Sequence, residues 1–278
     1  MIVAVASGKG GTGKTTVAVS LALSLPNVQF VDADAEEPNC HLFLHPIIQQ
    51  IIPVYMILPE VDLARCTFCG KCAEFCQFNA LAVVKQQVLI FPELCHGCGG
   101  CIYACPEDAM KTGQRQIGEV EVGTARGMRF IQGRLKPAEP SAVRIVREEI
   151  AQLKREGIAI VDASPGTACA VQETIAESDF CLLVTEPTPF GLHDLRMAMD
   201  VAQEVGVPSG VVINRSGSRD SLIEDECRKR SIPVLLKIPL DRRIAEAYSR
   251  GEALVDAFPE WRERLQDTCA EIERRQKK

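Results

Sequence analysis

Two stretches of the chain hold residue types at spacings that do chemistry. The first is Ser7-Gly-Lys-Gly-Gly-Thr-Gly-Lys-Thr-Thr16. From Gly8 to Thr15 it follows GxxxxGK[ST], a pattern whose glycines let successive backbone N–H groups face phosphate oxygens without an intervening Cβ. Gly8, Gly10, Gly11, Thr12, Gly13 and Thr16 would line the cradle. Lys14 would reach the β- and γ-phosphates, and the Thr15 hydroxyl would bind Mg²⁺. That chemistry needs one lysine, yet Lys9 sits in the loop as well. The second stretch holds eight of the thirteen cysteines. Cys66, Cys69, Cys72 and Cys76 are spaced C-x2-C-x2-C-x3-C, and Cys95, Cys98, Cys101 and Cys105 repeat the spacing. Soft thiolates in such numbers suit iron. Zinc sites instead pair two CxxC knuckles around one tetrahedral ion.

The elements that must position these residues follow from the apolar runs. Ile2–Ala6 reads as a buried strand feeding the glycine loop, and Thr15–Leu25 as the helix after it, which adds its positive end to the phosphate site. Further buried strands are expected at Val28–Val31, Ile158–Val161, Phe180–Thr185, Gly210–Ile213 and Pro233–Ile238, with helices at Ser141–Arg155, Leu192–Val205 and Asp220–Arg230 between them. Strands apolar on both faces, alternating with helices, imply an α/β fold with a doubly wound, mostly parallel sheet. The rhythm stops from about Pro59 to Lys111, where the cysteines lie. Both cysteine copies have a glycine after the second Cys (Gly70, Gly99) and an alanine four residues past the last (Ala80, Ala109). This duplicated unit reads as a small inserted domain over residues 60–112, dividing a larger domain into residues 1–59 and 113–278. Gly113–Pro140 reads as a hairpin or loop returning to the main sheet.

Bulk properties narrow the setting. The 278 residues are 46% hydrophobic and 24% charged, with a net charge of −6. This is a globular composition, and it favours neither nucleic acid nor an acidic membrane surface. A strand and a phosphate loop occupy the first residues, so no signal peptide fits. No apolar run approaches membrane-spanning length. A cytoplasmic protein is expected, in which many cysteines mean metal or redox chemistry rather than disulfides.

With Lys9, the string KGGTGKTT resembles the deviant phosphate loop of the MinD/ParA family, which includes the nitrogenase iron protein and the Mrp-type iron–sulfur carriers. The resemblance covers nearly all the chain outside the insert. It implies ATP with Mg²⁺ as ligand, ATP hydrolysis, and a homodimer formed on ATP binding in which Lys9 reaches the partner's phosphates. It also implies roles for single residues. In Val31-Asp-Ala-Asp34, Asp32 would lie near Mg²⁺ and Asp34 would orient or deprotonate the attacking water. In Ile158-Ala-Ile-Val-Asp162, Asp162 would hold Mg²⁺ through water, and Gly166 would offer an N–H to the γ-phosphate. Asn214 would recognise adenine beside Arg215, with Pro239 packed against the base. The segments DADAEEPN (32–39), DASPGTAC (162–169) and VTEPTPFGLHDL (184–195) resemble MinD-like ATPases carrying an inserted ferredoxin domain.

The cysteine insert resembles bacterial ferredoxin, since the second run continues into Pro106. In that α+β domain the fourth cysteine of each run serves the other cluster. The resemblance therefore implies one [4Fe–4S] cluster on Cys66, Cys69, Cys72 and Cys105, and a second on Cys95, Cys98, Cys101 and Cys76. Gln77 departs from the pattern, standing where the first run usually has proline. Two outputs are open: ATP-gated electron transfer to a protein client, or assembly and delivery of an iron–sulfur or metal cofactor. A third is redox-sensing spatial organisation. Of the other cysteines, Cys181 is expected in the core, and Cys169 is expected as a packed thiol after a switch-like segment. The histidines show no ligand spacing. Trp261, Leu265, Cys269 and Ile272 form a stripe expected to dock the last helix on the domain rather than on a membrane, leaving Arg274–Lys278 as a solvated end.

Overall fold

The computed structural model describes residues 1–154 and 156–276. In chain order it contains β1 (Ile2–Ala6), α1 (Lys14–Ser24), β2 (Val28–Ala33), α2 (His41–Leu44), β3 (Ile47–Val61), α3 (Lys71–Phe75), β4 (Leu81–Val84), β5 (Gln87–Ile90) and α4 (Gly100–Tyr103). There follow β6 (Met110–Ala125), β7 (Met128–Leu135), α5 (Val143–Ala151), β8 (Ile158–Ala163), α6 (Cys169–Ala176), β9 (Phe180–Thr185) and α7 (Pro189–Val205). The chain closes with β10 (Ser209–Ser216), α8 (Ser221–Lys229), β11 (Val234–Pro239), α9 (Arg242–Ser249), α10 (Leu254–Ala257) and α11 (Trp261–Gln276).

Nine strands form one sheet in the order β11-β10-β9-β1-β8-β2-β7-β6-β3. From β11 to β7 every pairing is parallel, and β6 alone runs against the others. The central strands are apolar on both sides because helices cover both. Val3, Val5, Phe30, Phe130 and Ile160 pack under α1, α10 and α11. Val31, Ala163, Leu183 and Ile131 face α5, α6 and α7 on the other side. Phe30 and Phe130 stack across the β2–β7 register with centroids 6.2 Å apart. The expected stripe of Trp261, Leu265, Cys269 and Ile272 is buried against α1 in that first layer. Arg274 and Arg275 are exposed in the last turn of α11, and Lys277 and Lys278 lie outside the described residues. So does Arg155, the expected end of the helix observed as α5.

Gly113–Pro140, read as hairpin or loop, is a β-hairpin of β6 and β7 turning at Arg126-Gly127, and its second strand is also built into the parallel sheet beside β2. A fifteen-residue strand, β3, was not expected at all. Its sequence hides the two-residue period because register shifts at Ile48/Gln50 and Val54/Tyr55 interrupt the alternation. Its outer face also keeps Ile47, Ile51 and Tyr55 exposed. β3 and β6 pair from Ile47–Thr124 out to Val61–Met110. The expected boundaries at 60 and 112 fall within this ribbon, and the cysteine segment hangs from its tip.

Candidate functional site

β1 delivers the chain into the Ser7–Gly13 turn, and α1 begins at Lys14. Gly11 and Gly13 have φ of +78° and +91°, a left-handed backbone that disfavours side chains. A Cβ on Gly13 would stand 2.1 Å from Asn214 Nδ2. Asn214 donates that N–H to the Thr12 carbonyl at 2.7 Å, and Arg215 Nη2 donates to the Gly11 carbonyl at 3.1 Å. The end of β10 thus braces the loop. Gly8 lies against the Asp194 backbone, Gly10 faces open space, and Thr16 is half-buried in α1.

Behind the loop the three strand-end acids are brought together unequally. Lys14 Nζ donates to Asp162 Oδ1 at 2.5 Å and Thr15 Oγ1 to Asp162 Oδ2 at 2.7 Å. Asp32 Oδ2 accepts from the Asn39 and Cys40 amides at 3.0 and 2.9 Å. Cys40 donates its thiol to Asp162 at 3.2 Å. Asp32, Cys40 and Asp162 present ligand atoms all within 4.8 Å of one another, a group able to hold a metal ion. Two buried carboxylates thus lie near one ammonium, which among the described residues is bonded to Asp162 alone. Burial, then the Asp162 carboxylate, pushes Asp32 up to about 7. Burial works against the Lys14 charge, but Asp162 holds it above its usual value. Asp34 is half-buried at the mouth, pushed up to about 6 by burial while Lys14 pulls the other way.

Lys9 is not free in the single chain. Its Nζ lies 2.6 Å from Glu186 Oε1, and Arg215 holds the other oxygen of Glu186 at 2.6 Å. The Gly166 amide, expected to face the γ-phosphate, donates to the Ser7 carbonyl at 2.9 Å instead. Pro239 is exposed at the end of β11, in register with Ser216. Cys169 corrects its expectation: the helix start that it occupies points to solvent, so it is exposed rather than packed, whereas Cys181 is buried. Cys40 and Glu186 were missed. Nothing in the spacing marks Cys40, which the turn after β2 folds back onto Asp32. Glu186 follows an apolar strand as Asp162 does, and that rule would have found it.

The eight clustered cysteines surround two cavities. Cys66, Cys69, Cys72 and Cys105 line one, and Cys76, Cys95, Cys98 and Cys101 line the other. Each set takes three residues from one repeat and one from the other. The repeat extends to the backbone: Phe68, Gly70 and Asn79 have positive φ, as do their counterparts Gly97, Gly99 and Asp108. The Ala80 and Ala109 amides point at the sulfurs of Cys76 and Cys105 at 3.4 and 3.3 Å. Among the described residues no three of these sulfurs lie within 4.8 Å of one another. One zinc would need them roughly 3.8 Å apart, given a ~2.3 Å Zn–S bond and tetrahedral angles. As placed, the donors stand too far apart to close on one tetrahedral zinc ion. Burial, with Cys95 and Cys98 alongside, pushes the Cys101 thiol up to about 11; a cationic centre would relieve that crowding.

Residues 3–255 match the CobQ/CobB/MinD/ParA nucleotide binding domain, and the chain belongs to that family. An uncharacterized protein of Methanocaldococcus jannaschii is 30% identical over 270 residues, 92% of this chain and 91% of its own. The iron-sulfur cluster carrier protein of Helicobacter pylori is 23% identical over 283 residues, 93% of this chain and 62% of its own. Among solved structures, the septum site-determining protein MinD of Pyrococcus horikoshii, complexed with Mg-ADP, has a TM-score of 0.61 at 20% identity, over 98% of this chain and 96% of that one. The fold is that of a P-loop NTPase. Among the described residues no helix is long and apolar enough to cross a membrane.

Proposed function

We propose that this chain is an ATP-hydrolysing, dimerising protein that carries two [4Fe–4S] clusters on an inserted ferredoxin-like domain, residues 60–112, and uses the nucleotide state to gate electron transfer to a protein client. In this reading the loop from Gly8 to Thr16 binds the phosphates and Asn214, Arg215 and Pro239 bound the base. Thr15, Asp32 and Asp162 hold Mg²⁺. Lys14 stabilises charge on the γ-phosphate, Lys9 leaves Glu186 to reach the partner's ATP, and Asp34 orients the water in line with that phosphate. The half-raised Asp34 carboxyl suits a group that must accept a proton. The clusters, when bound, supply one-electron chemistry. The chain's own part is to hold eight thiolates and shield them.

One observation carries the reading: the cysteines form two complete sets of four, each closed only by a residue from the other repeat. A full set of protein ligands suits a resident group, and residence suits electron transfer. A second reading is favoured by the Helicobacter pylori relative, a cluster carrier by name. There the chain would pass a cluster or metal cofactor to its client.

The test is a redox titration of the anaerobic holoprotein with no nucleotide, with ADP and with a non-hydrolysable ATP analogue. A nucleotide-dependent potential is expected, and identical potentials in all three states would reject gating. Iron counted before and after ATP turnover with an apo-ferredoxin acceptor separates the readings. A donor keeps its iron, whereas a carrier loses it to the acceptor.

A further inference from the structure

Both cysteine sets touch the β3–β6 ribbon, the Cys66 set at its tip through Ala109 and Met110, but they differ in what ties them beyond it. The Cys95 loop is seated on the β3–β6 ribbon. A Cβ on Gly97 would stand 2.4 Å from Met56 Cγ and 3.1 Å from the Ile57 carbonyl. Opposite Met56 in the register is Arg115. Its Nη2 donates to the Cys95 carbonyl at 3.5 Å, and its Nη1 pairs with Glu139. This pair is largely out of water, with side chains 15% and 9% exposed. Breaking such a pair by removing one partner leaves an uncompensated charge, so the two side chains are held together.

Glu139 belongs to the turn after β7, and that turn is tied to the nucleotide side. The Leu135 amide donates to the Ala35 carbonyl at 2.8 Å, and the Lys136 amide to the Ile117 carbonyl at 2.8 Å. Ala35 is the residue after Asp34. A contiguous line of hydrogen bonds and short chain segments therefore runs from Asp34–Ala35 through Leu135–Glu139 and Arg115 to Cys95. On the other set, the ion pair Arg65–Asp108 spans 3.7 Å, lies within the insert and is exposed at 49% and 82%. It has the geometry of a solvated surface pair.

We propose that Arg115 and Glu139 are positioning residues that link the Asp34 segment to the Cys95 side of the insert. Nucleotide state is thereby felt by the group held on Cys76, Cys95, Cys98 and Cys101, and not by the group on Cys66, Cys69, Cys72 and Cys105. The link rests on the cluster-bearing reading above and adds to it which set responds and through which side chains. Two physical effects act together. A packed hydrogen-bonded line transmits a displacement because its members cannot move independently. A guanidinium beside one ligand's carbonyl shifts the potential of the centre it faces.

The experiment compares wild type with Arg115→Gln and Glu139→Gln, with Arg65→Gln as control. Each anaerobic holoprotein is titrated with ADP or with a non-hydrolysable ATP analogue, and spectra resolve the two midpoint potentials. Iron content and nucleotide affinity are measured alongside. In wild type one potential is expected to differ between the two nucleotides. In both link variants that difference should fall to less than half, with iron and affinity unchanged, while Arg65→Gln keeps it. Link variants that retain the full difference would overturn the link and leave the gated reading standing. A wild type with no difference would instead end the gated reading, and the link with it. Should Arg115→Gln bind less iron, Glu139→Gln and nucleotide-dependent amide exchange over residues 92–99 still decide. Exchange that responds to ATP equally in wild type and Glu139→Gln counts against the link.

Discussion

At the residue scale the nucleotide site is short of one positive charge. Asp32 and Asp162 are both fully buried, Lys14 answers one of them, and Cys40 closes the space between. A magnesium ion carried in with ATP would supply the missing charge and release Lys14 toward phosphate. Lys14→Ala should weaken ATP binding on the order of 100-fold in a titration calorimeter, the loss of two charge-assisted hydrogen bonds at about 1.5 kcal/mol each. Binding within a few-fold of wild type would remove Lys14 from the phosphates. Lys9 makes the opposite forecast. Lys9→Ala should leave ATP binding by the monomer intact but abolish ATP-dependent dimerisation in light scattering. Because Glu186 holds Lys9 in the single chain, Glu186→Gln should free it and strengthen the dimer. A dimer unchanged by both substitutions would confine Lys9 to its own chain.

At the element scale two features stand out. The cysteine repeats interlock, so each cavity depends on both copies. Cys105→Ser should therefore cost the same group as Cys66→Ser, lowering iron from about eight to about four per chain in each case. The double variant should lower it no further, and iron near zero in the double variant would contradict the crossing. The second feature is Glu149 on α5, fully buried where Gly133 of β7 leaves room. Among the described residues its carboxylate oxygens have no hydrogen-bond partner. Burial, then the Asp32 carboxylate, with Asp34 as a smaller contributor, pushes its carboxyl well above the usual range. The folded state thus prefers Glu149 neutral. Its contribution to stability is intact below the ordinary value near 4.5 and is lost as pH rises above it. Glu149→Gln should consequently raise the melting temperature relative to wild type at pH 8 and leave it nearly unchanged at pH 4. A difference that is flat across that range would show that folding does not shift the Glu149 carboxyl, and a lower melting temperature for Glu149→Gln at pH 8 would show it charged and paired.

The whole molecule joins two sites that the chain visits in turn. The sheet sets the phosphate loop and three acids at one strand-end cluster, and the β3–β6 ribbon carries the cysteines out from the sheet edge. Asp34 sits where the two systems meet, beside the segment bonded to Leu135. Asp34→Ala should trap an ATP-bound dimer with turnover reduced at least 100-fold, as for loss of a water-positioning group. Normal phosphate release by that variant would reject the role. The trapped form is also the one in which an anaerobic pull-down should hold a client.

Local sequence decided a good deal here. The glycine loop, its helix, the acids ending β2 and β8 and the two cysteine runs are all legible, because each depends on spacing within one or two turns of chain. Which run's fourth cysteine faces which cavity is a contact between separate runs, and only the ferredoxin resemblance announced it. Alternating buried strands and helices were likewise enough to announce a parallel sheet. Tertiary structure decided what spacing cannot carry. Cys40 reaches Asp162 across 122 positions, Lys9 reaches Glu186 across 177, and Arg115 joins Cys95 to Glu139 only because β6 stands between them. Strand β3 stayed hidden since register shifts erase its period, and Cys169 turned outward because the helix it begins leaves that corner open. Contacts between residues far apart along the chain come from how sheets and loops stack in space, and no local pattern encodes that stacking.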